Sequence, residues 1–486
     1  MDNAYGIKTW LAWIDGRATP AQSGETFPVD EPATGKTLAH VTRLSGQDVA
    51  TTAQIARDRF EEGVWSRRSA TDRGHVLHHL ATLLRDNIET FAQWETRQSG
   101  KTLRDSRDEI ATAANCFEYY AGAANKIFGH TIPVSAQGLD YTLRVPMGVV
   151  GLIVPWNFPF LISVWKIAPA LAAGNSVLVK PASYTPLTAL LLGPLAKDAG
   201  IPDGVLNIVP GPGRETGEAL ITDPNVDKVA FTGETATGAR IMALAAPRIK
   251  RVSLELGGKS PTIIFADADL DKAAQLAVNS SYANSGQDCC ARSRIMVQKE
   301  AAEAFTERFV HYAKALTVGD PLDDSSAMGP LISASHRQTV RQYVEQGLAD
   351  GAQLLVDPSQ HALPTTGYFQ GPAVFTGVSP DMSIVREEIF GPVTTLQTFE
   401  TEAQAVRMAN NTDYGLSGTV FTRDIGRALR VANSVRAGVM SVNSIKSVHL
   451  EAPFGGFKMS GLGRELGMEA LDHYTEIKNV FVSLDE

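Results

Sequence analysis

The stretch that decides the fold, residues 148–180, reads GVVGLIVPWNFPFLISVWKIAPALAAGNSVLVK. Its small and branched apolar residues predict a buried strand over 148–155, a helix over 165–173 and a second buried strand over 176–180. The alternation continues with a helix over 185–199 and with strands over 206–209 and 226–231. Strands that alternate with helices indicate an α/β fold with a parallel, doubly wound sheet. Such a sheet binds its ligand beyond the carboxyl ends of the strands.

A second alternating unit follows residue 259. Its predicted elements are a strand over 261–265, a helix over 270–284, a strand over 294–297, a helix over 301–316 and later strands over 392–399, 418–421 and 438–442. Only the pair Gly257 and Gly258 separates the two units, so we expect two domains packed across a fixed cleft. Outside both units, residues 47–128 show helical periodicity, and residues 131–144 and 474–483 are typical of extended strands.

The composition is that of a globular protein in aqueous surroundings. Of 486 residues, 44% are hydrophobic and 20% are charged, and the formal net charge is -9. No basic block is present, so we expect no nucleic-acid partner. Three cysteines cannot form a disulfide framework, and their spacing fits no zinc site, so we expect no metal and a reducing, cytoplasmic location. Met1–Asp15 lacks the apolar segment of a secretory signal, and no apolar run is long enough to span a membrane.

The chemistry is expected at residues 284–294, NSGQDCCARSR, which hold two of the three cysteines. A thiolate is a strong nucleophile, and we expect the positive charges of Arg292 and Arg294 to raise its population. Upstream, residues 253–261 read SLELGGKSP and place Glu255 in a strand-like run before two glycines. A nucleophile with a second, basic group that activates water is what covalent catalysis followed by hydrolysis requires. In isolation each residue has a structural alternative, because a buried cysteine packs as a small apolar group and a glutamate beside glycines is often a surface residue.

These two stretches, in this order and at this separation, resemble the aldehyde dehydrogenase superfamily. Further landmarks that carry the resemblance are PWNFP at 155–159, KPAS at 180–183, FTG at 231–233, EEIFGP at 387–392 and PFGGFK at 453–458. The resemblance implies two doubly wound α/β domains and a small β arm, and a homodimer or homotetramer joined through the arm. The implied division is an NAD(P)-binding domain of residues 1–124 and 147–256, a catalytic domain of residues 257–458, and an arm and tail of residues 125–146 and 459–486.

The resemblance implies NAD as the cofactor, with NADP as an alternative. The three-glycine Rossmann fingerprint is absent, but residues 231–238, FTGETATG, place two glycines between a strand and a helix, which suits a phosphate. Ser183 stands where many NAD-preferring members carry a glutamate, and serine removes the repulsion of a 2′-phosphate, whereas Glu234 returns negative charge nearby. The implied cofactor residues are Ile153, Val154, Pro155, Trp156, Lys180, Ser183, Gly213, Phe231, Gly233, Glu234, Thr237, Leu256, Gly257, Glu388 and Phe390.

The resemblance also implies the catalytic residues. Cys289 matches the nucleophile, and its neighbour Cys290 is expected to line the site. Asn157 matches the amide that stabilises the oxyanion, together with the backbone N–H of Cys289. Glu255 matches the general base that hydrolyses the thioester, which acylating members typically lack, so release of a carboxylic acid is expected. Lys166 and Glu465 match positions assigned in some members to a proton relay.

The aldehyde is expected to enter a mainly apolar tunnel. The residues implied for it are Phe158, Leu161, Ile162, Trp165, Asp288, Cys290 and Phe454. Apolar walls favour aliphatic or aromatic aldehydes. Two alternatives stay open: a semialdehyde or aminoaldehyde dehydrogenase, for which Lys446 in the loop 444–451 could contact a second carboxylate, and a non-catalytic structural or binding protein on the same fold.

Overall fold

A computed structural model describes residues 8–484. Within that range the chain forms two large sheets and two sheets of three strands. The expected absence of a secretory signal concerns Met1–Asp15, of which residues 1–7 lie outside the described residues, as do the last two residues of the predicted tail. No helix between residues 8 and 484 is long and apolar enough to cross a bilayer.

The elements are numbered in chain order. The strands are β1 (Lys8–Trp10), β2 (Ala12–Ile14), β3 (Arg17–Thr19), β4 (Thr26–Glu31), β5 (Lys36–Thr42), β6 (Thr131–Ile132), β7 (Gly138–Pro146), β8 (Val149–Ile153), β9 (Ser176–Lys180), β10 (Leu206–Ile208), β11 (Lys228–Thr232), β12 (Arg251–Glu255), β13 (Pro261–Ile264), β14 (Arg294–Gln298), β15 (Gln353–Val356), β16 (Ala373–Thr376), β17 (Val393–Phe399), β18 (Ser417–Phe421), β19 (Val439–Val442), β20 (Gly461–Leu462) and β21 (Thr475–Ser483). The α-helices are α1 (Gly46–Glu62), α2 (Ala70–Asp86), α3 (Ile88–Ser99), α4 (Leu103–Ala123), α5 (Pro159–Ala172), α6 (Leu187–Ala199), α7 (Glu218–Thr222), α8 (Thr235–Ala245), α9 (Leu270–Tyr282), α10 (Ala302–Lys314), α11 (Ala334–Ala349), α12 (Ser383–Arg386), α13 (Glu402–Asn410), α14 (Ile425–Ser434) and α15 (Glu469–Asp472).

The first large sheet has the strand order β20-β12-β11-β8-β9-β10-β2-β3. Its five central strands, β12 to β10 in that order, are parallel, and β20 and β2 flank them antiparallel. Side chains of β8, β9 and β11 are buried on both faces, as continuous apolar runs predict. One face packs on a core that includes α5, and the other packs on a core that includes α1 and α8. The predicted doubly wound sheet is confirmed.

The second large sheet has the strand order β15-β16-β17-β14-β13-β18-β19. All of its neighbouring strands are parallel except β15, which pairs antiparallel with β16. Helices α9 and α10 cover one face, and α13 and α14 contribute to the core on the other. The α/β class predicted for this half of the chain is therefore confirmed, whereas the exact domain boundaries stay a prediction.

The predicted arm is an antiparallel sheet of β21, β7 and β6. Strands β7 and β21 pair along their whole length, from Gly138 with Ser483 to Pro146 with Thr475. Residues 131–144 do not form the single strand that we expected, because the chain turns back between β6 and β7. Apolar side chains stand exposed on this sheet, among them Leu139 at 46% and Phe481 at 44%.

One further boundary differs from the prediction. Helix α5 begins at Pro159, six residues before the predicted start at Trp165. Proline suits the first turn of a helix because its missing N–H has no acceptor there and its φ is already helical. The early start places Leu161 and Ile162, two of the residues implied for the tunnel, in the first turn of α5.

Candidate active site

A cavity of about 990 Å³ lies at the carboxyl ends of the central strands of the first sheet. It extends from Ser183 and Arg214 at one end to Cys289 and Glu388 at the other. Every residue that the resemblance implied for the cofactor lines this one cavity, and Asn157 and Cys289 line it too. The cavity is therefore long enough to connect a nucleotide-type site with a nucleophile.

The turn after β11 presents a helix N-terminus to the cavity. Gly233 and Thr237 line the cavity, and α8 begins at Thr235. The helix can come this close to β12 because Gly238 has no side chain; a Cβ there would lie 2.6 Å from Leu256. Free N–H groups at a helix N-terminus bind phosphate well.

The far end of the cavity suits a ribose. The buried Lys180 amine donates to the carbonyl of Pro181 at 2.9 Å, and burial lowers the pKa of Lys180 to about 8. The Ser183 hydroxyl donates to the carbonyl of Gly211 at 3.1 Å. Arg240 and Glu218 form an ion pair at 2.9 Å on the same rim. Position 183 therefore presents a neutral hydroxyl to this end of the cavity.

The nucleophile stands on a strained turn. Asn284 and Ser285 adopt left-handed φ values of 49° and 58°, and Gly286 follows at 72°. A Cβ at Gly286 would lie 2.3 Å from the carbonyl oxygen of Gly391, so this position requires glycine. The side-chain oxygen of Gln287 accepts from the backbone N–H of Ile332 at 2.9 Å. These contacts fix the loop that carries Cys289.

The side-chain amide of Asn157 is held in place on the other side. It donates through Nδ2 to the carbonyl of Gln287 at 3.0 Å, and its own backbone carbonyl accepts from Asn284 Nδ2 at 2.9 Å. Asn157 is 3% exposed. The Nδ2 group has a second N–H, which remains for another acceptor near Cys289.

The expectation that arginines favour the thiolate is wrong. Arg294 is buried and donates to three backbone carbonyls of other segments. The pKa of the Cys289 thiol is raised above its ordinary value, first by its hydrogen bond with Cys290 and then by burial. The carboxylate of Asp288 and both sulfurs lie within 4.8 Å of one another, which also disfavours a thiolate. The surroundings of Cys289 therefore disfavour its thiolate, so attack by this sulfur would require a base to take the proton.

A candidate for that base, Glu255, stands at the end of β12. Glu255 is 5% exposed, and its pKa is raised well above the ordinary value, mainly by burial and next by the Glu465 carboxylate. The buried Lys166 amine pairs with Glu465 at 2.5 Å and opposes that increase. The Glu255 oxygen Oε2 has no hydrogen-bond partner among the described residues. Its proton affinity is therefore higher than that of an ordinary carboxylate, which suits a general base.

The two glycines after Glu255 join base and nucleophile. A Cβ at Gly258 would lie 2.4 Å from the carbonyl oxygen of Cys289, so the two backbones touch there. The N–H of Gly258 donates to Glu388 at 2.9 Å, and a Cβ at Gly257 would lie 2.0 Å from Glu388 Oε2. The two glycines that follow Glu255 in the sequence thus allow the backbone after β12 to contact the Cys289 loop and Glu388.

Sequence reasoning missed His336 on α11. Its Nε2 lies 2.7 Å from the carbonyl oxygen of Phe390, and its ring packs on Trp156 with 5.5 Å between the centroids. Burial lowers the pKa of His336. A lone histidine on a helix of the second unit carries no sequence signal that could place it at the cavity.

The residues implied for the tunnel are mostly packed in the hydrophobic core, as is Cys289. Their apolar members lie in the same core cluster as that residue, and the rings of Trp165 and Phe454 pack with 5.5 Å between centroids. Asp288 is the exception: it accepts from the N–H of Cys290 at 2.8 Å, and burial raises its pKa. Lys101, which the sequence did not single out, places its amine 4.3 Å from the ring centroid of Phe158. The residues implied for the tunnel are thus apolar except for Asp288.

Comparison with known proteins gives one consistent result. The model of the aldehyde dehydrogenase family matches residues 18–480. The chain is 43% identical to human retinal dehydrogenase 2 over 483 residues, which cover 99% of this chain and 93% of that protein. The NAD+ complex of aldehyde dehydrogenase from Bacillus cereus aligns with a TM-score of 0.96 at 42% identity, covering 98% of this chain and 97% of that one. Betaine aldehyde dehydrogenase from Staphylococcus aureus, in complex with NAD+, aligns with a TM-score of 0.96 at 38% identity, covering 98% and 95%.

Proposed function

The chain belongs to the aldehyde dehydrogenase family, and on that premise we propose that it oxidises an aldehyde to a carboxylic acid with NAD, through a thioester on Cys289. The single observation that carries the proposal is the close contact between the backbones of Gly258 and Cys289. This contact joins the segment after the buried Glu255, whose pKa is raised, to the loop that carries Cys289. Solved relatives are NAD+ complexes at 38 to 42% identity, and that is the support for the cofactor.

The cavity fits the cofactor by its chemistry. Gly233 and the N-terminus of α8 would hold the pyrophosphate, Lys180 and Ser183 the adenosine ribose, and Glu388 the second ribose. When bound there, NAD supplies the nicotinamide ring that accepts the hydride. Because position 183 carries a hydroxyl rather than a carboxylate, we include NADP as a second, accepted cofactor.

The first half of the reaction forms a bond between the Cys289 sulfur and the aldehyde carbon. The thiol proton leaves to a base, for which we propose Glu255 because the backbone contact at Gly258 joins its strand to the Cys289 loop, and the carbonyl oxygen becomes an oxyanion. The free N–H of the Asn157 amide and the backbone N–H of Cys289 would stabilise that oxyanion. Donors of this kind contribute about 3 kcal/mol each. Loss of hydride from the former aldehyde carbon leaves a thioester.

The second half hydrolyses the thioester. Glu255 takes a proton from water while the water oxygen attacks the thioester carbonyl, and the carbon–sulfur bond then breaks. Lys166 and Glu465 lie behind Glu255 and would accept the proton from it. The products are the carboxylic acid and the Cys289 thiolate, which takes up a proton to restore the thiol.

Two variants test this assignment of roles. In Cys289→Ala, oxidation of aldehydes should be lost. In Glu255→Gln, one equivalent of reduced cofactor should form quickly while a thioester, detectable by mass spectrometry of the intact protein, accumulates. Full turnover of Cys289→Ala would refute the proposal, and so would turnover of the parent only after addition of coenzyme A.

The apolar tunnel supports aliphatic or aromatic aldehydes as substrates. A second candidate is an aminoaldehyde, which the buried carboxyl of Asp288 beside Cys289 favours over an acidic semialdehyde. Steady-state kinetics on chain-length-matched neutral, amino and carboxylate aldehydes separates the candidates. A preference for the amino compounds that Asp288→Asn abolishes would establish the second.

We also propose a homodimer or homotetramer in the cytoplasm. The exposed apolar side chains of the β6-β7-β21 arm support association. Cys116, Cys289 and Cys290 are free thiols, which supports a reducing compartment.

A further inference from the structure

A line of polar side chains runs behind Glu255 on one face of the first sheet. Alternate residues of a strand share a face, so Glu255, Ser253 and Arg251 lie in one column on β12. The register pairs Lys228 of β11 with Arg251, and this places Lys228 on that same face. The neighbouring Ala230 packs into the core that includes α5, whereas the cavity lies with the opposite core.

Lys228 is a buried amine with few partners. It is 1% exposed, donates one hydrogen bond to the Ser253 hydroxyl at 3.0 Å, and lies 5.3 Å from the ring centroid of Tyr474. An ammonium group has three donors. The mechanism proposed above uses neither Lys228 nor Ser253.

The charges that face Lys228 come from several elements. Burial lowers the pKa of Lys228 to about 7, and the Glu465 carboxylate opposes this most strongly. Lys166 on α5 and Arg251 on β12 lower the pKa further, and Glu476 on β21 raises it. Near neutral pH this amine therefore exchanges a proton with its surroundings, beside the pair that already backs the general base.

The column has an outer end at His473. A Cβ on Gly463 would lie 3.2 Å both from the His473 ring and from Ser253, so these two side chains flank that glycine. The ring is half-buried, and its Nε2 accepts from the N–H of Arg464 at 3.0 Å. This bond leaves the other ring nitrogen as the N–H donor, and burial, followed by the positive charge of Lys228, lowers the pKa of His473.

Three buried polar atoms along the column have no hydrogen-bond partner among residues 8–484. They are Glu255 Oε2, Glu465 Oε2 and Tyr474 Oη. Buried atoms of this kind are normally paired with ordered water, which also conducts protons.

We propose that Lys228 and His473 carry the proton released during thioester hydrolysis from Glu255 to solvent, an inference that rests on the function proposed above. Water gives one proton to Glu255 as its oxygen binds the acyl carbon and the carbon–sulfur bond breaks. That proton passes to the Lys166–Glu465 pair, is taken up by the neutral amine of Lys228, and leaves through His473. No electron is transferred. Lys228 is a positioning residue, because it acts on the reaction only through Glu465 and Glu255.

The test separates the two halves of the reaction by rapid mixing. In Lys228→Met the first burst of reduced cofactor should keep its rate and amplitude. The steady-state rate, limited by hydrolysis, should fall about tenfold or more, and its acid limb should move to higher pH. Lys228→Arg keeps the charge but cannot release a proton, so it should be as slow as the methionine variant. A purely structural or electrostatic role predicts that arginine restores the rate.

His473→Ala gives a second readout that does not depend on the folding of a buried variant. Its steady-state rate should fall and should be restored by imidazole in the buffer, whereas Lys250→Met, a half-buried lysine outside the column, should match the parent. An unchanged pH profile in Lys228→Met, or a full rate in Lys228→Arg, would overturn the inference. Glu255→Gln separates failure of this inference from failure of the proposed function. If Glu255→Gln turns over normally, the proposed function itself fails. If Glu255→Gln is inactive while the Lys228 and His473 variants are fully active, only the path beyond Glu465 fails.

Discussion

Replacing Gly258 by alanine tests the contact on which the site depends. The added Cβ would lie 2.4 Å from the carbonyl oxygen of Cys289 and 3.3 Å from the Cβ of Leu416. The contact to Cys289 is between backbone atoms, so no side-chain rotation can relieve it. The loop of Cys289 or the end of β12 must move, by about 0.6 to 1 Å if ordinary contact distances are to be restored.

The size of the effect follows from that displacement. A misplacement of about 1 Å at a reacting group costs on the order of 100-fold in rate. Overpacking of a dense interior costs about 1 to 3 kcal/mol of stability. We therefore expect Gly258→Ala to fold, with a lower Tm and with kcat/KM reduced about 100-fold.

The assay is the formation of reduced cofactor from a good aldehyde, measured beside thermal unfolding. Gly122→Ala is the matched control, because Gly122 lies in α4 and a Cβ there meets nothing within 4 Å. It should keep full activity and gain stability, since alanine is the better helix former. If Gly258→Ala retained both the activity and the Tm of the parent, Glu255 and Cys289 could not be held together by this contact, and the reasoning would be refuted.

Three further outcomes are expected. Asn157→Ala should lose about 3 kcal/mol of transition-state stabilisation, seen as a fall of about 100-fold in kcat with little change in KM; a change confined to KM would instead indicate substrate binding. Ser183→Glu should reduce kcat/KM for NADP about 10-fold or more and leave that for NAD nearly unchanged, because only NADP brings a 2′-phosphate towards the new carboxylate; equal losses for both cofactors would contradict the placement of the ribose. Phe481→Asp on the arm should give smaller assemblies in analytical ultracentrifugation, since an exposed apolar side chain of a subunit contact contributes about 2 kcal/mol when it is buried; an unchanged sedimentation coefficient would exclude this face.

The fold could be predicted where the chain follows simple periodicity. Fully buried strands such as β8 and β9 carry continuous apolar runs, and their boundaries fall within two residues of the prediction. The start of α5 was missed because its first turn, Pro159 onward, is apolar on every side and shows no helical period. The order of strands in each sheet is set by crossovers over long separations, and no local pattern encodes it.

For the candidate site, motif spacing predicted residues that line one cavity, but it did not predict their electrostatics. Two arginines after Cys289 suggested a stabilised thiolate, yet Arg294 donates to distant carbonyls, and the hydrogen bond with Cys290 and burial raise the pKa of the thiol. The sequence gives the charge of an arginine but not the direction in which its side chain points. A change of rotamer is enough to turn the guanidinium away from the thiol. His336 and Lys228 were missed for the same reason. Each is a single polar residue in a segment without a motif, and only the tertiary fold brings it into contact with another polar group.

Burial of the general base has a cost in stability that can be measured. The pKa of Glu255 is raised in the folded protein, so the folded state holds this proton at pH values where the unfolded chain has released it. Stability from this group is therefore complete below the unfolded pKa of about 4.3 and falls as the pH rises towards the folded value.

Glutamine at this position keeps the shape and cannot ionise. Glu255→Gln should therefore be more stable than the parent by about 1 kcal/mol near pH 8 and should approach it as the pH falls towards 5. Chemical denaturation at several pH values measures this difference directly. A difference independent of pH would mean that Glu255 is ionised throughout, in which case Lys166 rather than burial controls its charge and the enzyme needs no further activation of its base.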